Sequence, residues 1–333
     1  MTGSVPPRAP SVPAVPAGRV RCATFNVLHG LRLLEDGRAP GTEDAAGPAP
    51  LAEAVAALDA DVLALQEVDR LQPRSGGVDQ AAVAAAAMGA GHWRYASALH
   101  ARALPGGGWV RDPAAPGLRE YGPRSRNSPD GVPSHGIALL SRLPVRAWRA
   151  RRLAAAPLAV PLRSAGRPGL TAVRDQPRAV LAAVLEGPAG PFTAVAVHLS
   201  FVPGWNVGQL LAVRRWIADL PRPCLLLGDF NLVGAVPRAT LNAAERVRSR
   251  LPGAAPGRRG DAWRETARTP TYPSHRPLVQ FDHVLASGIG ADAVAGACAP
   301  RTAISDHRPL VADLALTRCA PCTPAAPARP TTG

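Results

Sequence analysis

The chain contains no lysine, so all 38 of its basic residues are arginine. That bias reflects a GC-rich genome as much as a function, which weakens the formal net charge of +14 as a sign of nucleic-acid binding. Arginine does suit phosphate, because its planar fork bonds two oxygens at once. Aromatic residues make up only 4% of the chain, which argues against a platform on which single-stranded bases stack. No apolar run approaches the length of a membrane span. Met1 to Gly18 is rich in proline and small residues and lacks an apolar h-region, so it does not read as a secretory signal. Cysteine is sparse and odd in number: Cys22, Cys224, Cys298, Cys319 and Cys322. Without a signal segment, that count points to free thiols in a reducing compartment, and a cytoplasmic location is expected. Cys319 and Cys322 form a lone C-x-x-C with no second pair to complete a zinc site.

What is present is a series of short apolar runs that stop at polar residues. Leu225 to Leu232 reads Leu-Leu-Leu-Gly-Asp-Phe-Asn-Leu, a buried strand closed by a turn residue. Alternation along a strand puts Asp229 and Asn231 on one side and Phe230 in the core. Loops at the carboxyl ends of buried strands are where α/β sheets place their chemistry. An Asx turn at a strand end would give the same residues.

Other runs repeat the pattern. Val20 to Val27 ends around Asn26, Asp61 to Gln66 is followed by Glu67, Phe192 to Val197 ends at His198, and Arg178 opens the run to Leu185. Asp282 lies in a strand spanning Val279 to Ala286, and Asp306-His307 precedes a last strand to Leu314. Helices are predicted over Leu51 to Leu58 and Asp79 to Met88, the latter with Asp79 as N-cap, and in the basic stretch from Leu241. Asn206 with Gln209 reads as a capping box that opens a helix through Leu220. Residues 101–135 and 149–170 show no periodicity and read as long irregular segments. The short alternation of strands and helices over 20–316 favours one α/β domain, with disordered tails at 1–19 and 317–333.

Singly these polar residues are weak pointers. Gathered at one sheet edge, such acids, amides and histidines suit metal-assisted phosphoryl chemistry, in which a hard cation takes oxygen ligands and a base activates water. The motifs Phe25-Asn26-Val27-Leu28-His29-Gly30, Leu65-Gln66-Glu67-Val68-Asp69, Gly136-Ile-Ala-Leu-Leu-Ser-Arg142, Val197-His198-Leu199, Gly228-Asp-Phe-Asn231, Phe281-Asp282-His283 and Ser305-Asp306-His307 resemble those of the endonuclease/exonuclease/phosphatase superfamily. The resemblance covers nearly all of 20–316. It implies two stacked β-sheets flanked by helices, with the site at one end. It also implies a metal-dependent phosphoesterase using Mg²⁺, or Mn²⁺, in its broad phosphodiesterase branch. By resemblance, Glu67 is the main metal ligand, Asn26 helps position metal or ligand, and Asp306 completes the shell. Asp229 activates water, and Asn231 orients that water or binds a phosphoryl oxygen. His307 contacts the scissile phosphate with its tautomer fixed by Asp282. Arg178 and His198 bind the phosphate, and His198 also aids the leaving oxygen. The expected partner is a phosphodiester, either nucleic acid or a small or lipid diester, acted on by a monomer. The alternative is a non-catalytic, Arg-rich anion-binding or nucleic-acid-binding module on the same fold. One departure stands out: Glu120-Tyr121-Gly122 is separated from Gly136 by a Pro-rich insertion, leaving a further acidic site residue unassigned.

Overall fold

Every second residue of the inner strands faces a different core, and this parity builds the layers. In the computed structural model, residues 18–39, 47–105, 108–125, 131–162, 169–250 and 262–317 are described. The expected tails lie almost wholly outside them, as do Cys319 and Cys322. The strands are β1 (Val20–Asn26), β2 (Val62–Arg70), β3 (His92–Ala103), β4 (Trp109–Arg111), β5 (Arg119–Tyr121), β6 (Ser134–Ser141), β7 (Val145–Leu153) and β8 (Ala159–Leu162). They continue with β9 (Thr171–Arg174), β10 (Arg178–Gly187), β11 (Gly190–His198), β12 (Cys224–Asp229), β13 (Arg264–Glu265), β14 (Asp282–Ser287), β15 (Val294–Cys298) and β16 (Leu310–Leu314). The helices are α1 (Ala49–Ala56), α2 (Gln80–Met88), α3 (Trp205–Trp216) and α4 (Val236–Ser249).

One sheet has the order β15-β16-β1-β2-β6-β3-β4, with β5 also on β3, and the other β13-β14-β12-β11-β10-β7; β8 and β9 form a separate hairpin. Cys22, Val62, Ala64, Ile137 and Leu139 of the first sheet meet Leu181, Ala194, Leu225, Leu227 and Val284 of the second in a central core. The alternate residues Ala23, Phe25, Leu63 and Leu65 pack against Leu51 and Val55 of α1 and Ala84 and Met88 of α2. On the far side, Val195, Val197, Leu226 and Leu285 pack against Leu210 and Val213 of α3 and Leu241 of α4. A strand covered on both faces must be apolar at every position, which is why Leu225-Leu226-Leu227 reads as an unbroken run. The result is a four-layer α/β domain.

The two segments read as irregular are partly ordered. β3 runs on to Ala103, β4 and β5 lie within 101–135, and β6 begins at Ser134. β7 continues to Leu153. Its pattern was hidden because an edge strand carries arginines outward: Arg146, Arg149, Arg151 and Arg152 are exposed. The helix read from Leu241 begins earlier, at Val236. The strand read from Val279 begins at Asp282. No helix among the described residues is long and apolar enough to cross a membrane. Cys22, Cys224 and Cys298 are free thiols.

Gly228 shows how tightly the site end of β12 is packed. A β-carbon there would overlap the Val197 carbonyl oxygen and sit 2.7 Å from Val197 Cγ2. Backbone cannot yield as a side chain can, so Gly228→Ala is expected to cost about 3 kcal/mol or more. A fall in the urea midpoint with an unchanged m-value checks this.

Candidate active site

Register sets the first row of the site. His198, Asp229 and Asp282 are direct neighbours across β11, β12 and β14. Each shares parity with residues of the central core (Ala196, Leu227 and Val284), so all three side chains point between the sheets. The first sheet answers with Asn26, which ends β1. Its Nδ2 donates to Asp229 Oδ2 at 3.1 Å and to Glu67 Oε1 at 3.1 Å, so one amide ties the two sheets together. By simple parity Glu67 would face the helices. A β-bulge between Leu65 and Val68, with Glu67 at φ 56°, turns it to the site instead.

The loops complete the arrangement. Phe230 is buried in the core, as the alternation implies. Asn231 has left the strand, with φ 49°. Its backbone N–H donates to Asp229 Oδ1 at 2.9 Å and its Nδ2 to Leu199 O at 3.0 Å. Asn206 and Gln209 do not form a capping box. Gly204 precedes the first turn of α3, Asn206 Nδ2 donates to Asn231 O at 2.8 Å, and Gln209 Oε1 accepts from Ser200 N at 2.7 Å. Both side chains hold the site loops rather than the helix end. On the other side, the Ser305 hydroxyl donates to Asn26 O at 2.6 Å and accepts from His307 N at 3.0 Å. These contacts pin the Asp306-His307 turn to β1.

His307 Nδ1 lies 2.8 Å from Asp282 Oδ2, and its Nε2 lies 3.9 Å from Asp229 Oδ2. Burial opposes charging this imidazole. The carboxylate of Asp282, with Asp229 and Asp306, outweighs burial and raises its pKa to about 10, making it an imidazolium at neutral pH. His198 is the opposite case. Burial and the Arg178 guanidinium hold its pKa well below the ordinary value, so it is neutral. Its Nε2 is 3.7 Å from Asp229 Oδ2, and Arg178 Nη1 lies 3.1 Å from its Nδ1. Arg178 Nε is buried without a hydrogen-bond partner among the described residues, a donor to spare. Asp229 is pushed up by burial and by Asp282, against the pull of His307. Burial pushes the Glu67 carboxyl up, yet its polar surroundings, with the Asn26 hydrogen bond, bring it down to about 2. Asp306 is raised by burial and by Glu67, partly offset by His307.

Asp229, Asp282 and His307 bring their side-chain O and N atoms within 4.8 Å of one another, a spacing that suits a metal ion if His307 gives up its proton. Asp282 Oδ1 is buried without a partner among the described residues, an acceptor to spare. Hydrogen bonds, strand register and electrostatic neighbourhood bring the nine expected residues Asn26, Glu67, Arg178, His198, Asp229, Asn231, Asp282, Asp306 and His307 together at one end of the sheet pair. The unassigned acid near Gly136 is not Glu120, which is exposed on β5. The residue before Gly136 is His135, paired with Asp69 at 2.7 Å. Sequence reading gave neither a role, although Asp69 closes the motif Leu65-Gln66-Glu67-Val68-Asp69 and His135 immediately precedes Gly136-Ile-Ala.

Two stacked mixed sheets with this buried Asp/Asp/His cluster define a phosphoesterase fold. The family follows from the sequence itself. The model of the Endonuclease/Exonuclease/phosphatase family matches residues 23–307, and the chain belongs to that family, whose members are metal-dependent phosphoester hydrolases. Similar solved structures include an endonuclease/exonuclease/phosphatase from Beutenbergia cavernae DSM 12333, at 24% identity and TM-score 0.53, covering 90% of this chain and 72% of that one. Another is a functionally unknown conserved protein from Enterococcus faecalis V583, at 16% identity and TM-score 0.52, covering 88% and 98%. A third is an endonuclease/exonuclease/phosphatase from Bacteroides vulgatus, at 18% identity and TM-score 0.51, covering 90% and 99%. At these identities the likeness concerns the fold. No curated protein matches significantly.

Proposed function

We propose that this protein is a Mg²⁺-dependent phosphodiesterase that hydrolyses its substrate by attack of water on phosphorus. The observation that carries the reading is the setting of Asp229. Its Oδ2 accepts from Asn26 and lies within 4 Å of a neutral histidine, His198, and a charged one, His307. A carboxylate raised by burial accepts a proton from water more readily than an exposed one. An imidazolium beside it offers positive charge to a phosphoryl oxygen. His198 faces the same carboxylate and Arg178 lies against His198; in this reading the two bind the phosphate and His198 aids the leaving oxygen. Asn231, locked by its bond to Leu199 O, orients the water or a phosphoryl oxygen. Asp282 holds His307 in its charged, oriented form.

The residues present fit a hard divalent cation. Glu67 and Asp306 are half-buried carboxylates, and Glu67 pushes the Asp306 pKa up, a repulsion that a cation removes. Glu67 and Asp306 would supply oxygen donors of the kind that Mg²⁺ or Mn²⁺ takes, and Asn26 holds Glu67 in position through its Nδ2. His307 is less suited to ligation, because an imidazolium has no lone pair to give. When bound, the ion would neutralise charge on the phosphoryl oxygens.

The direct test is hydrolysis of bis-p-nitrophenyl phosphate. Turnover is expected with Mg²⁺ or Mn²⁺, with complete loss in EDTA and recovery on adding back metal. Phosphate binding without turnover under any metal would make the chain an Arg-rich binding module instead.

A further inference from the structure

A second Asp–His pair lies on the first sheet. Asp69 and His135 are partners in the register of β2 and β6, and His135 Nδ1 is 2.7 Å from Asp69 Oδ1. This matches the 2.8 Å between His307 Nδ1 and Asp282 Oδ2. Asp69 is fully buried, and Arg74 grips it with Nε at 2.8 Å and Nη2 at 2.9 Å. Ser75 Oγ adds a bond at 3.2 Å.

A role confined to bracing the β2–β6 bulge would use every donor inward. Three features do otherwise. His135 engages only Nδ1, and its Nε2 has no protein partner among the described residues, with 15% of the side chain exposed. Arg74 bonds through Nε and Nη2, leaving Nη1 outside the pair, with 27% of the side chain exposed. Trp109 stands beside both, its ring 4.9 Å from Arg74 Cζ and 5.2 Å from the His135 ring centre. An aromatic face next to a guanidinium orients it and keeps water off one side.

One member of the group, His135, lies near the phosphoryl site, within the electrostatic neighbourhood of Glu67 and His198. His135 lines a cleft between the sheets whose other wall includes Gln176, Pro177 and Arg178. Arg178 reaches His198, and Arg111, on the same short strand as Trp109, donates to Gln176 Oε1 at 2.7 Å. His29 adds a buried Nδ1 without a hydrogen-bond partner among the described residues.

We propose that Arg74, His135 and Trp109 form a second anion subsite that takes a phosphate group carried by the substrate beside the phosphate that is cleaved. The inference rests on the phosphodiesterase reading and narrows its substrate to diesters bearing a second phosphate. Arg74 supplies the Nη1 donor that its fork on Asp69 leaves over, and Asp69 acts through Arg74 and His135 as a positioning residue.

Two pairs of chromogenic diesters test it: thymidine 5′-(p-nitrophenyl phosphate) with and without a 3′-phosphate, and 3-hydroxypropyl p-nitrophenyl phosphate with and without a phosphate on the hydroxyl. The wild type with Mg²⁺ is expected to prefer the phosphorylated member by about tenfold or more in kcat/KM, the scale of one charged hydrogen bond. His135→Gln, which keeps a donor for Asp69 but loses the second ring nitrogen, is expected to reduce that ratio several-fold. Arg74→Gln should bring it close to one. Because the ratio is taken on one preparation, a loss of folded protein cancels from it. Preference in the nucleoside pair alone identifies nucleotides as the source, and preference in both pairs shows that the phosphate is read on any scaffold. Equal rates for both members, or variants that keep the wild-type ratio, overturn the subsite and leave the phosphodiesterase reading standing. No hydrolysis of any diester with Mg²⁺ or Mn²⁺ overturns both.

Discussion

His307→Ala is expected to lower kcat/KM on bis-p-nitrophenyl phosphate by about a thousandfold, the scale of removing one preorganised charged donor. The loss includes both the imidazolium and the order it imposes on Asp282, which is buried and 2.8 Å away. Asp282→Asn separates charge from contact. In the proposed mechanism the charged His307 is the active form, and against burial its pKa is held at about 10 by Asp282, with Asp229 and Asp306 adding. Activity therefore persists below that value and fades as pH rises through it. Removing the Asp282 charge lowers the His307 pKa and moves the alkaline limb of the pH–rate profile toward neutrality. An unmoved limb would remove the dyad from the mechanism.

Glu67→Gln and Asp229→Asn are expected to fail in different ways, both by large factors. Glutamine keeps the size of Glu67 and can still bond Asn26, but it lacks the charge that a hard cation selects. Half-saturation by Mg²⁺ should rise by about tenfold or more, with activity partly recovered as metal increases. Asp229→Asn leaves Glu67 and Asp306 in place and removes the group proposed to activate water. Its loss, about a hundredfold or more, should persist at saturating metal because the chemical step is damaged. A Mg²⁺ titration of both variants beside wild type distinguishes them. If Glu67→Gln keeps the wild-type half-saturation and only its plateau drops, the metal is anchored elsewhere, and the cluster of Asp229, Asp282 and His307 becomes the first candidate.

The parts of the site set by strand period were legible from the sequence. Asp229 follows an apolar run and shares parity with Leu225 and Leu227, so its facing could be read without coordinates. The same holds for Asn26 and His198. What period alone did not place depended on departures from it, and Glu67 is assigned its role only through the family resemblance. Glu67 reaches the site through a bulge that alternation cannot anticipate. β7 was obscured because its outward residues are arginines on a sheet edge, which look like loop composition. Asn206 and Gln209 have the spacing of a cap, but their side chains found partners in Asn231 and Ser200, a tertiary choice that local spacing does not encode. His135 lay inside a segment read as irregular, and its partner Asp69 is distant in sequence.

The chain leaves the first sheet after β6, builds the second, and returns with β15 and β16. Val20 pairs with Leu314, so the neighbour of the first described strand on that side is the last described one. His307 lies three residues before β16, in a turn fastened to β1 through Ser305 and Asn26 O. During synthesis, β1, β2, α2 and the whole β10–β14 sheet can emerge from the ribosome while this turn is still in the tunnel. A nascent chain could therefore assemble most of its acids and amides yet lack the imidazolium. Hydrolytic competence would arrive with the final strand, after long-range closure has brought the two ends of the domain together, the slowest kind of contact for a polypeptide to make.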